Sequence, residues 1–209
     1  MFRKIFIGLS LFFLGFIILL ISIFRTASVK YDFAELPLTQ GESVLGSSDI
    51  NIDYTLPYPG KVLPDSFFWS LKAIRDKLWL FITTNRTRKV ELKILFADKR
   101  LVSSKILFEK DKAGLGYSVL TKGEKYLEDA KKDELKMRQK GVETSELLQR
   151  LALSSLKHIE VMDEIVEIAP DEAKPKIIEI KRYPWGVYED ARNALNEKGI
   201  NPPENPFVR

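Results

Sequence analysis

The stretch "TSELLQRLALSSLKHIEVMDEIVEIAP", residues 144–170, decides the fold. Leu147, Leu151, Ser154, His158, Val161, Ile165 and Ile168 recur at alternating steps of four and three. Leu148, Ala152, Ser155, Ile159, Met162, Val166 and Ala169 repeat that pattern one residue later. Such steps return a side chain to the same side of a 3.6-residue helix. Two adjacent stripes make a wide apolar face, so this helix should contact two others. Thr144 or Ser145 caps its start, and Ala169-Pro170 marks its end because proline disfavours helix in its predecessor. A helix that needs two helical neighbours predicts a bundle.

Upstream the same periodicity returns. Val90, Ile94, Ala97, Leu101, Ser104 and Phe108 place a helix over about 86–110, introduced by the turn and cap residues of "TTNRT". "KAGLGYSV" carries two glycines and reads as a break. The next helix spans about 117–139, with Leu120, Gly123, Leu127, Ala130 and Met137 inside and Gly141 closing it. Its second half, "EDAKKDELKMRQKG", is so charged that it reads as a solvated extension past the core. Downstream, helical stretches near 171–182 and 185–198 are punctuated by "RYPWG", and "GINPPENPFVR" reads as a loose tail.

The bundle's beginning is written in "YTLPYPGKVLPDSFFWSLKAIRDKLW", residues 54–79. Pro57, Pro59 and Pro64 push their predecessors toward extended backbone, and Asp65 and Ser66 are good helix caps. From Phe67 the pattern becomes amphipathic, with Phe67, Leu71, Ile74, Leu78 and Ile82 on one side and Lys72, Arg75, Asp76 and Lys77 elsewhere. The reading preferred to a polyproline recognition site is a stiffened lead-in whose Tyr54, Leu56, Tyr58 and Leu63 fold back on the bundle.

At the N-terminus, Arg3 and Lys4 precede twenty residues without a charge, 5–24. At about 1.5 Å per residue these reach about 30 Å, the thickness of a bilayer core. An uncleaved transmembrane anchor is the reading, with a cleaved signal peptide as the alternative; Ala27 and Ser28 make a poor cleavage match. The short basic N-terminus leans toward a cytoplasmic start with the remainder outside. The expected organisation is therefore a short tail (1–4), an anchor (5–24), a flexible tether (25–55), a helical domain (56–199) and a loose tail (200–209). The expected fold class is all-α, with an N-terminal transmembrane helix and then a bundle or long hairpin of about four to six helices.

Composition narrows the function. There is no cysteine, which excludes disulfides and thiolate chemistry, and the single histidine excludes a multi-histidine metal site within one chain. The 33 basic and 29 acidic residues are too balanced for a general nucleic-acid binder. Glu160, Glu164 and Glu167 share a helix face but lack the Glu-x-x-His partner of a di-iron bundle, and they read as a solvated face. His158, on an apolar stripe, reads as a core residue bonded to a carbonyl. No phosphate loop or nucleophile elbow is present, so no catalytic, cofactor or metal residue is expected and an enzyme is not the reading.

Charge is nevertheless uneven. Residues 86–112 hold nine basic and four acidic residues, while 143–172 hold two basic and eight acidic. The plainer reading is that these two helices lie side by side. The alternative turns a basic face to anionic lipid or an acidic partner, with Lys72, Lys77, Arg86 and Arg88 as candidate contacts.

Two segments carry a resemblance. Leu63, Pro64, Asp65, Ser66, Trp69, Leu71 and Lys72, followed by Arg88, Glu91, Leu92, Ala97, Arg100 and Leu101, resemble an uncharacterised all-helical extracytoplasmic domain family of membrane-attached or secreted bacterial proteins. Lys89-Val90 departs from that family's usual Arg-Ala, and the similarity covers about residues 54–110. The resemblance implies fold and location without an activity. The functional expectation is a membrane-anchored interaction or scaffold module of the cell envelope with an envelope protein as partner. The alternative is an envelope ligand- or stress-sensing domain, which would need a pocket lined by residues such as Trp69, Trp79 and Tyr117.

Overall fold

The computed structural model describes Ser10, residues 14–18 and residues 52–207. Its helices beyond the N-terminal region are α1 (Trp69–Ile82), α2 (Arg86–Glu109), α3 (Ala113–Arg138), α4 (Ser145–Ile168), α5 (Lys174–Ile180) and α6 (Arg182–Glu197), and no strand occurs among the described residues. Among those residues no helix is long and apolar enough to cross a membrane. Most of the stretch 5–24, read as an anchor, and of the stretch 25–55, read as a tether, lies outside them; Ser10 and residues 14–18 are helical. The chain divides into two compact units, one of residues 1–45 and 70–82 and one of residues 46–69 and 83–209.

In the first unit α1 departs from expectation. Trp79 and Asp76 are its buried residues, and Asp76 is held by Arg75 at 2.8 Å. Leu71, Ile74 and Ile82, read as core-facing, are 55%, 56% and 41% exposed, and Phe81 is 83% exposed. The amphipathic pattern is real, but its apolar side is not closed off.

The second unit is a bundle whose helix directions follow from its cross-links. Lys93 of α2 reaches Asp133 of α3 at 2.6 Å, while Ser104 Oγ donates to the Gly116 carbonyl at 2.8 Å, so α2 and α3 run antiparallel. Glu91–Arg150 and Lys105–Glu164 set α4 parallel to α2. Lys131–Asp190 and Arg138–Glu197 set α6 parallel to α3. The two charge-rich helices thus meet as expected, but with pairs of both senses, because α2 also spends lysine charge on α3.

Both stripes of α4 are buried as the periodicity predicts, except that Ile168 is exposed and Val166 half-buried at the open end. One core cluster joins Val90, Ile94, Leu127, Leu148, Leu151, Tyr188 and Leu195; a second joins Leu101, Phe108, Leu120, Met162, Ile165 and Ile177. At about 25 cal/mol per Å² of apolar surface, burying each of these large side chains contributes about 1.5–3 kcal/mol.

Several local expectations change. The α2–α3 break is a tight turn at Asp111, φ 57°, and α3 starts at Ala113, so Gly114 and Gly116 lie inside the helix. Gly116 is there for contact: a Cβ at that position would lie 2.9 Å from the buried Phe108 ring. The charged half of α3 is not a solvated extension. Ala130, Glu134 and Met137 are buried along it, while Lys132 and Lys136 are exposed and Lys131 pairs with Asp190 of α6. "RYPWG" opens α6 rather than separating helices, because Pro184 in the first turn lacks only an N–H that would have no intrahelical partner. Residues 200–207 are packed rather than loose: the Tyr188 hydroxyl donates to the Pro203 carbonyl at 3.0 Å, and Phe207 stacks edge-on against Trp185.

Two glycines should respond oppositely to the same change. Gly116→Ala should destabilise by about 1–3 kcal/mol through overpacking against Phe108. Gly186→Ala, in α6 with nothing near its added Cβ, should stabilise by about 0.5–1 kcal/mol. Denaturant melts of the two variants check this, and equal shifts would sink the close-contact reading of Gly116.

A buried histidine between two carboxylates

Three helices each place one ionisable side chain at a common point in the second unit. Asp98 follows Ile94 by four residues and precedes Leu101 by three; Glu124 stands likewise between Leu120 and Leu127. His158 stands between Ser154 and Val161 on the first stripe of α4. Each is therefore turned inward by the same periodicity that turns the leucines inward. His158 and Glu124 are fully buried and Asp98 is 1% exposed.

The contacts form a closed chain. His158 Nδ1 lies 2.8 Å from Glu124 Oε1, and Nε2 lies 3.1 Å from Asp98 Oδ1. Ser154 Oγ donates to Asp98 Oδ1 at 2.8 Å, and the Tyr54 hydroxyl donates to Asp98 Oδ2 at 2.7 Å. Glu124 Oε2 has no hydrogen-bond partner among the described residues. Burial pushes the imidazole pKa down, but the charge of Glu124, with the hydrogen bonds and charge of Asp98, outweighs it and lifts the value to about 10. Burial, and then the Asp98 charge, raise the Tyr54 phenol well above its usual range, so it stays a donor.

This arrangement holds rather than reacts. With both nitrogens engaged by carboxylates, the imidazole has no lone pair to offer a metal or to act as a base. Among the described residues no group of three or more histidines and acids is placed to hold a metal ion. His158 is thus a core residue as expected, but its partners are two acids and not a backbone carbonyl.

The lead-in segment is fastened beside this site. Ile52 is buried, its N–H donates to Glu160 Oε2 at 2.9 Å, and its carbonyl accepts from Lys157 at 3.4 Å. Glu160, read as part of a solvated face, is therefore 6% exposed and also paired with Lys157; Glu164 takes Lys105, and Glu167 alone of the three stays exposed. Ile52 and Tyr54, within the stretch 25–55 read as a tether, pack against the helices. Tyr54 and Leu56 fold back as predicted, Leu63 is half-buried, and Tyr58 remains 69% exposed.

The four candidate surface cations divide between the two units. Lys72 and Lys77 lie on α1 in the first unit, half-buried and exposed respectively. Arg88 pairs with Glu91 at 3.1 Å. Arg86, the first residue of α2, lines a cavity with Lys89, Lys136 and Lys140. Tyr117, suggested as a pocket wall, is partly buried against the cluster around Leu101 and Phe108.

A folded pKa near 10 against an ordinary 6.5 means the folded chain holds this proton more tightly than the unfolded chain. The resulting stabilisation is complete below about pH 6.5, declines as pH rises and is gone above about pH 10. The melting temperature should fall across that window. Glu124→Gln removes one facing charge and should end the decline at lower pH. With one histidine in the chain, its ring-proton NMR signal reports the titration directly. An imidazole titrating near its ordinary value in the folded protein would refute the buried ion group.

The family described as "Domain of unknown function (DUF5667)" matches residues 61–172, more than half of the chain. No curated protein and no solved structure matches it. The matched span takes in α1 to α4 and with them Asp98, Glu124 and His158, as well as the Leu63–Lys72 and Arg88–Leu101 patterns. The chain belongs to the DUF5667 family.

Proposed function

We propose that this chain is a single-pass membrane protein anchored by residues 5–24, whose extracytoplasmic helical domain serves as an interaction module of the cell envelope. The observation that carries the reading is α1, which leaves Leu71, Ile74, Phe81 and Ile82 exposed along a helix of 14 residues. Apolar side chains of this size, grouped on one element, mark an interaction surface. The exposed Lys77 and the half-buried Arg75, which pairs with the buried Asp76, are the cations beside them, and a polar rim around an apolar strip is how protein–protein interfaces are built. The occupant is accordingly a protein of the envelope that offers an apolar strip with acidic flanks. The uncharged run 5–24 and the basic residues before it support the anchor and its orientation.

A photo-cross-linking residue in place of Phe81, in the full-length chain in cells, should capture one reproducible envelope protein. The same probe at the exposed Lys125 should not. Adducts with lipid alone, with a second copy alone, or none would sink the module reading. Topology is tested separately, since the chain has no cysteine of its own. Ser48→Cys should react with an impermeant maleimide on intact cells, and reaction only after lysis would reverse the orientation.

A further inference from the structure

The first turn of α2 is built the wrong way round for a helix. A helix N-terminus carries a partial positive charge and favours acidic side chains. Here the first turn holds no acid, and Arg86, Arg88 and Lys89 stand in its place. Arg88 is neutralised by Glu91 at 3.1 Å. Arg86 and Lys89 have no carboxylate within ion-pair distance among the described residues. They face the last turn of α3 and the residues just beyond it, where Lys136 and Lys140 line the same space. The four cations surround one concave cavity of about 200 Å³ with Asp133 and the side of Met137. Asp133 is already committed to Lys93 at 2.6 Å and reaches Lys136 at 3.5 Å.

We propose that this cavity binds a phosphate-bearing anion, held by Arg86, Lys89, Lys136 and Lys140. Four cations share the cavity's lining with one carboxylate, itself already engaged by Lys93, so the lining is net positive and attracts an anion. The α2 N-terminus adds to that field instead of opposing it. An arginine with several lysines is the side-chain set that grips phosphate oxygens, with Arg86 supplying the planar fork and the lysines point charges. The volume is several times the roughly 30 Å³ of a water molecule, room for a phosphate group or a diphosphate. Lys136 and Lys140 alone would be ordinary at a helix C-terminus, which favours cations. Arg86 and Lys89 are what that explanation does not cover. The site is independent of whether residues 5–24 cross a bilayer.

The test uses the full chain in non-ionic detergent micelles, with pyrophosphate as the soluble probe and phosphatidic acid doped into the micelle as the lipid probe. Calorimetric titration should show saturable binding of one of them. Lys89→Gln with Lys140→Gln should weaken it about tenfold or more, the loss of two charge-assisted contacts. Lys122→Gln with Lys125→Gln, exposed positions of α3 away from the cavity, should not. Without anion, the first double variant should melt no lower than the parent, since it removes repulsion. Binding of pyrophosphate identifies a soluble phosphate compound as the ligand class, and binding of phosphatidic acid alone identifies a lipid headgroup. No saturable binding of either, or equal weakening by both double variants, would overturn the site.

Discussion

Three helices of the second unit meet at one buried ion group. His158 carries a proton between Asp98 and Glu124, with one ionisable group from each of α2, α3 and α4. Taking such groups out of water costs several kcal/mol per ion, and only close opposite charge with well-made hydrogen bonds offsets it. Here the offset is nearly complete on the Asp98 side, where Ser154 and Tyr54 occupy the remaining positions. It is thinner at Glu124, whose second oxygen relies on the imidazolium's attraction without a protein donor of its own. A leucine in place of each group would fill the space without choosing among helix registers. The ion group chooses one, because sliding any helix by a turn of about 5.4 Å would strand a buried charge.

The same interaction explains why the folded body is larger than the family match. Tyr54 completes the Asp98 coordination from outside the matched residues 61–172, and Ile52 is clamped next to it by Glu160 and Lys157. At the other end Val187, Tyr188, Ala191, Ala194 and Leu195 of α6 close the cluster containing Leu127, Leu148 and Leu151. Without α6 that apolar face would lie open to water. The tail then covers α6 through Tyr188 and Trp185. Cutting at the match boundaries would remove both the donor to Asp98 and one wall of the core.

How far the sequence is legible depends on the range over which each interaction acts. The stripes of α4, the Asn85 cap and the ending at Ala169 are local, set by residues within a turn or two of each other, and they can be read directly. The partners of His158 lie 34 and 60 residues away, and nothing in the α4 pattern names them. A signal is present all the same: Asp98 and Glu124 each fall in phase with the apolar residues of their own helix, as His158 does. Three charged side chains in core phase on three helices of a balanced chain imply that they meet. Gly114 and Gly116 mislead for the opposite reason, since a glycine read along the chain suggests a break, whereas Gly116 read across it makes room for Phe108. The charge of α3 misleads similarly, because Glu134 is buried by accepting from Thr144 of the following segment as well as from Arg138 one turn on.

The first helix carries the distinction furthest. Amphipathic spacing states that a helix has an apolar side; it does not state that the side is buried. In α4 the two statements coincide, because two neighbours stand against its double stripe. In α1 they part: Trp79 and Asp76 are buried while Leu71, Ile74 and Phe81 remain in water. Asp76 makes the point physically, since a buried acid held by its neighbour Arg75 occupies a side that spacing alone assigns to solvent. Full burial of such a side chain contributes about 1.5–3 kcal/mol, and Leu71 and Ile74, each just over half exposed, forgo about half of that. The same logic applies at Arg86 and Lys89, where charges sit against the field of their own helix. In both places the unfavourable feature is local and solvent-facing, in a chain whose buried groups are otherwise closely satisfied.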